Sequence, residues 1–312
     1  MENFMLALNT VAPLFLLMML GYVLKKIGLL KQELIGPLNK LVFSVFLSTS
    51  LFNNIYSTKL EEAWNARAVI FAVTCVLVVF ALLWLIIPRI EKDKSKASVM
   101  MQSIYRSNII ILGLPIVAEL CGAENTGLMS ILIAIIVPIY NVLSVFIFGF
   151  MDKQRPSIGK TLLDIAKNPL IIGSLLGVIF LALGIKLPYM FEKTISNVAS
   201  ITTPLALIVL GAFFDFKKLS GNVKQLIIAL SGRLVIVPLI CMSIAIAMGF
   251  RGSDLIAMLA SFAAPSAVTS FTMAKQMNGD ADLAAQIVVL GTLFSILTIF
   301  LWIFSLKQFG MF

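Results

Sequence analysis

Residues 108–115 read Asn108-Ile109-Ile110-Ile111-Leu112-Gly113-Leu114-Pro115. An amide, a glycine and a proline thus stand inside an apolar run that extends from about residue 97 to 120. A helix needs about 20 apolar residues to cross the bilayer core, so the run is long enough to span a membrane. A proline near its middle removes one backbone hydrogen bond and frees the carbonyl four residues earlier. In lipid that defect is tolerated only where protein buries it or where it lines a cavity. The stretch therefore predicts a broken membrane helix.

The whole chain supports a membrane setting. Of 312 residues, 60% are hydrophobic and 12% are charged, about half the charged fraction usual in a soluble domain. Such a chain cannot build a polar skin, which excludes a soluble enzyme, a nucleic-acid-binding module and a disordered chain. Histidine is absent, so no His-based catalysis, metal site or proton relay exists. Cys75, Cys121 and Cys241 are far apart and form no CxxC pattern. No phosphate-binding P-loop is present, so the chain carries no ATP motor. No metal or cofactor is expected.

Reading outward gives ten apolar spans, at about 4–24, 37–56, 66–87, 97–120, 127–150, 168–186, 193–214, 222–249, 254–276 and 282–306. The first follows an acidic rather than a basic start, Glu2, and reads as a retained helix instead of a signal peptide. In alternate loops, fifteen Lys and Arg fall on one side and six on the other. The net charge of +9 is mostly this topological bias. Basic loops stay cytoplasmic, so both termini are expected outside a multi-pass protein of the cytoplasmic membrane.

Ten spans divide into five and five, and an odd number reverses direction. The expected fold is an all-α membrane protein with a five-plus-five inverted repeat: residues 1–150, a cytoplasmic linker at 151–167, and residues 168–312. Residues 157–167 suit a short amphipathic helix on the membrane surface. Inverted repeats characterise secondary transporters, whose sites lie between broken helices at matching positions. The ninth span carries the matching defect, Ala263-Ala264-Pro265-Ser266-Ala267. Two such breaks are expected to cross and to present half-helix N-termini, the positive dipole ends, to an anion.

The candidate substrate-binding residues are Asn108, Gly113, Pro115, Pro265, Ser266, Thr269, Arg233 and Asn141. The Asn108 amide can donate to a carboxylate without the cost of a buried charge, although asparagines also serve as bonds between membrane helices; the same alternative holds for Asn141. Gly113, Pro115 and Pro265 shape the crossover. Ser266, Thr269 and Ser270 offer hydroxyls, or bond back to their own helix. Arg233, deep in the eighth span, is placed to attract the anion or to pair with an acid. Arg106 lies nearer the cytoplasmic face, where a long cation can snorkel. No Asp or Glu falls plainly at mid-membrane; Glu119 and Asp215 are the nearest. Gly173-Ser174-Leu175-Leu176-Gly177 is a close-packing pattern for a scaffold or dimer contact.

Taken together, these residues resemble the auxin efflux carrier family. The resemblance covers nearly the whole chain. It is strongest at Arg106-Ser107-Asn108 through Pro115 and at Ala264 through Asn278, with Asn168-Pro169 and Thr203-Pro204 through Gly211 in support. It implies ten helices in an inverted repeat, with the fourth and ninth crossing at their prolines. It implies a scaffold of the first, second, sixth and seventh helices, and a moving core of the rest, working as an elevator. Family substrates are small organic anions: auxins in plants, dicarboxylates in bacteria. The plant branch forms homodimers, which makes a homodimer the partner to look for besides substrate and lipid. Two features depart from the plant pattern. The loop after the fifth span is short, and Ser44 and Ser48 stand where plant members have a lysine and a proline; both point away from auxin.

The expected function is secondary transport of small carboxylate anions, with no enzyme activity. The alternative is a sodium-coupled anion symporter of the bile-acid-symporter type. An intramembrane enzyme lacks His and paired carboxylates, and a receptor lacks an attached signalling domain.

Overall fold

The computed structural model describes residues 2–58, 64–122, 125–151, 163 and 166–312. Among them every regular element is a helix. In chain order these are α1 (Glu2–Lys26), α2 (Gln32–Tyr56), α3 (Ala66–Ile90), α4 (Lys94–Tyr105), α5 (Ile109–Cys121), α6 (Gly127–Met151), α7 (Pro169–Ala182), α8 (Tyr189–Phe213), α9 (Phe216–Ala247), α10 (Gly252–Ala263), α11 (Val268–Gln276) and α12 (Ala281–Gln308). Seven of them, α1, α2, α3, α6, α8, α9 and α12, are long and apolar enough to cross a membrane. The shorter α5, α7 and α10 are also apolar. The amphipathic helix expected at 157–167, and the linker around it, lie mostly outside the described residues.

Local chemistry explains the helix starts. Asn65, Asp93, Asn168 and Asp280 cap α3, α4, α7 and α12, each accepting a bond from a backbone N–H two or three residues on, which satisfies donors that a helix start leaves free. Pro169 opens α7 at a position where its missing N–H costs nothing.

The predicted fourth and ninth spans are each two short helices. The ninth breaks around its proline, between Ala263 and Val268. The fourth breaks at Arg106–Asn108, seven residues before Pro115, which corrects the expectation that both helices part at their prolines. Pro115 instead lies within α5, just after a π turn at Ile109–Gly113. A π turn widens the helix by one residue, and this absorbs the bond that the proline removes without parting the chain. Similar turns interrupt α2 at Val42–Phe46 and α9 at Gly232–Ile236. The Thr202 hydroxyl of α8 donates to the Phe46 carbonyl beside the first of these, at 2.8 Å.

Two helix pairs pack with their backbones almost in contact. In α1 against α8, a Cβ on Gly21 would lie 2.0 Å from the Ile208 oxygen, and one on Gly211 would lie 1.8 Å from that of Met18. In α2 against α7, a Cβ on Gly173 would lie 2.4 Å from the Ser48 oxygen, and one on Gly177 2.9 Å from Ile55. The Gly173–Gly177 pattern thus packs inside the chain, against α2. Helix α8 also packs on α2, which joins the two pairs. On the other side α4, α5, α10 and α11 gather with α6, α9 and α12 around them. Here α4 and α10 are buried almost throughout.

Candidate functional site

Two breaks in buried helices release backbone groups that must find partners. They find each other first. Ser107 and Ser266 form an antiparallel bridge. The Asn108 N–H donates to the Pro265 carbonyl at 2.8 Å, and the Ala267 N–H to that of Arg106 at 3.4 Å. The Ser266 hydroxyl, three residues past the end of α10, reaches the Ser103 carbonyl in the last turn of α4 at 2.6 Å.

Arg233 takes carbonyls at the ends of α4 and α10. It is 1% exposed, brought to the crossover by the π turn in α9. Its Nε donates to Ala264 O at 2.8 Å, and its Nη1 to Ile104 O and Tyr105 O at 3.1 and 3.4 Å. Its Nη2 donates to Phe262 O and Ser261 O at 2.6 and 3.5 Å. One guanidinium therefore caps the C-terminal, negative ends of both α4 and α10. No acid pairs with it among the described residues, contrary to one of its two expected uses.

The opposite face of the crossover holds a cavity of about 50 Å³. The first residues of α5 and α11 line it, among them Ile109 to Ile111 and Thr269, with Arg106, Ser107 and Asn108 from the break. Tyr140 of α6 closes one side, and Ser50 of α2 with Thr202 and Thr203 of α8 close another. The cavity thus lies where the crossover meets the α2–α8 pair.

Arg106 dominates this cavity. It does not snorkel; it is 3% exposed. Its Nε donates to Thr269 Oγ1 at 3.1 Å, its Nη1 to Ser144 Oγ at 3.1 Å, and its Nη2 to Asn141 Oδ1 at 2.8 Å. All these acceptors are neutral, and among the described residues no carboxylate pairs with Arg106. The positive charge is oriented but not compensated. Two buried polar groups beside it, Asn108 Nδ2 and Ser107 Oγ, lack any partner, and the Tyr140 hydroxyl finds no acceptor for its proton. An uncompensated cation with unsatisfied donors at two half-helix N-termini is the chemistry of an anion site.

Among the sequence candidates, Asn108 and Thr269 line the cavity. Asn141 stands behind Arg106 and holds it, its own Nδ2 donating to Ser174 Oγ at 3.4 Å. Pro265 and Ser266 build the bridge. Arg233 lies on the far side. Gly113 faces away from the cavity lining, and a Cβ there would meet Met129 Cε at 2.2 Å; Pro115 follows it in α5, also outside the lining. Reading the sequence passed over Ser107, Tyr140, Thr202 and Thr203, and undervalued Arg106. The available signal was that Arg106 falls inside an apolar run with no acid within a helical turn.

Comparison with known proteins agrees on the class. The profile of the family described as "membrane transport protein" matches residues 6–158 and 154–303. An uncharacterized transporter of Methanocaldococcus jannaschii is 27% identical over 310 residues, which cover 96% of this chain and 98% of that one. One from Methanothermobacter thermautotrophicus is 26% identical with the same coverage. The uncharacterized transporter YfdV of Escherichia coli is 23% identical over 309 residues, 94% of this chain and 95% of its own length.

Proposed function

Because the chain belongs to the membrane transport protein family, that of the auxin efflux carriers, we propose that this membrane transporter carries small organic carboxylate anions by a secondary mechanism. The observation that supports this most is Arg106: a buried cation, aimed by neutral acceptors and, among the described residues, without an acid partner. Leaving a charge buried and unpaired costs several kcal/mol. A carboxylate in the cavity offsets that cost, since it accepts from the guanidinium and from Asn108 Nδ2, Ser107 Oγ and Tyr140 Oη at once.

In the same proposal, the ten spans form a five-plus-five inverted repeat in the cytoplasmic membrane with both termini outside. The α1–α8 and α2–α7 pairs act as one scaffold because their backbones interlock at glycines. The crossover block moves against it as an elevator, carrying the cavity at its boundary. Two features favour anion transport over sodium coupling. The carbonyls at the ends of α4 and α10 already accept bonds from Arg233 and Ser266, and those of Arg106 and Pro265 from the backbone. Among the described residues no group of three Cys, Asp or Glu side chains is arranged to hold a metal ion.

The test is uptake and efflux of labelled mono- and dicarboxylates in proteoliposomes, with and without proton and sodium gradients. Saturable carboxylate transport that Arg106→Gln abolishes is expected. Wild-type rates in Arg106→Gln would overturn the site, and a strict sodium requirement would favour the symporter.

A further inference from the structure

A groove separates α3 from α9 on the outside of the bundle, apart from the crossover cavity. It encloses about 910 Å³, and its lining runs along α3 from Arg67 to Ile90 and along α9 from Ile228 to Met248. At helical rise the α3 side measures about 35 Å, comparable to the roughly 30 Å hydrocarbon core of a bilayer. Its rim side chains, such as Ile70, Val78 and Ile240, are exposed, while Phe71, Ile87 and Val237 beneath them are buried. The groove therefore opens along its length onto the surroundings of the bundle. Apart from Arg67, Thr74 and the thiols of Cys75 and Cys241, every lining side chain is apolar.

One end of the groove is different. Arg67 donates from Nη2 to the Met248 carbonyl and lies over the Phe250 ring at 5.1 Å. Arg251 donates from Nη1 to the Ile246 and Phe250 carbonyls at 3.0 and 2.6 Å. Both guanidiniums are exposed and held at the turn that ends α9. Neither forms an ion pair among the described residues. The nearby Asp254 accepts from Asn65 Nδ2 at 2.8 Å. Two cations thus stand at the mouth of an apolar channel, on the side that the loop charges assign to the outside, where basic residues are few.

The geometry points to a bound phospholipid, one acyl chain lying in the groove and its phosphate held by Arg67 and Arg251. Guanidinium forks match phosphate oxygens, and an apolar channel spanning the hydrocarbon depth matches an acyl chain. The lipid fills the gap between two helices whose Cys75 and Cys241 thiols face each other within the groove. Because two unpaired cations mark the mouth, the preferred lipid carries a net negative headgroup.

Native mass spectrometry of the detergent-purified chain tests this, with phosphatidylglycerol and phosphatidylcholine offered at equal concentration. Wild type is expected to retain phosphatidylglycerol over phosphatidylcholine on the order of tenfold. The double variant Arg67→Gln, Arg251→Gln should lose that preference. Val78→Trp and Ile240→Trp, each at an exposed rim position that tolerates a larger side chain, should lose retained lipid of both kinds. Absence of retained lipid in wild type would overturn the proposal. So would a preference that survives the double arginine variant, or wild-type retention in both tryptophan variants.

Discussion

Arg106 and Arg233 are both buried, both without an acid partner among the described residues, and do opposite work. Arg233 spends its donors on five backbone carbonyls, so its charge meets the negative ends of two helices. Arg106 rests on side-chain acceptors and faces a cavity. Different substitutions should separate the two roles. Asn108→Ala and Arg106→Gln should each lower carboxylate transport at least tenfold, since a hydrogen bond to a charged group contributes about 1.5–3 kcal/mol. Detergent thermal stability should fall little for Asn108→Ala, because its Nδ2 bonds no group of the protein. Arg233→Lys should instead lower thermal stability, by roughly 3–5 kcal/mol if the carbonyls go unmet, because one ammonium cannot reach both helix ends. Equal melting of Arg233→Lys and wild type would refute the clamp.

At the scale of helices, glycine marks where backbones touch. Gly211→Ala places a methyl against the Met18 carbonyl, and Gly173→Ala one against that of Ser48. Either change must push a helix pair apart, and both should cost about 1–3 kcal/mol or more, read as a lower melting temperature. Gly36 has open space around a Cβ and lies within α2, so Gly36→Ala should be neutral or stabilising by up to about 1 kcal/mol. A matching loss at Gly36 would show that chain flexibility rather than close packing sets the glycine requirement. These contacts were half legible beforehand. The Gly173–Gly177 spacing announced a packed face, but spacing carries no information on which helix covers it. The same limit applies to the breaks. Pro265 announced its break correctly, whereas Pro115 misled, because a π turn can absorb a missing bond and only the surroundings decide whether it does.

For the molecule as a whole, the elevator reading requires relative motion between the α2–α8 side and the crossover block. The Asn39 amide of α2 donates to the Thr272 carbonyl of α11 across that boundary, at 3.2 Å. In a chain with its native cysteines replaced, Asn39→Cys with Thr272→Cys should crosslink on oxidation and halt transport, and a reductant should restore it. Crosslinked protein that transports at the uncrosslinked rate would exclude motion at this boundary. The fifteen-to-six distribution of basic residues makes a separate prediction. Single cysteines placed near residue 92 and near residue 251 should be labelled by impermeant maleimide from opposite sides, the latter from outside.

Composition and the lengths of apolar runs were enough to settle that this chain lives in a membrane as a helical bundle, because the cost of an unpaired peptide group in lipid leaves few other structures. Asn108, Pro265 and the two-part character of the fourth and ninth spans were also legible, since polar and helix-breaking residues stand out against an apolar background. What the tertiary structure decided was which buried charge faces what. Arg106 and Arg233 look alike in sequence, and each sits in an apolar run with no acid within a helical turn. Their difference lies in partners that are 28 to 163 residues distant along the chain. No local pattern encodes such pairings; folding brings the two breaks together and leaves one arginine on their carbonyl side and the other on their amide side.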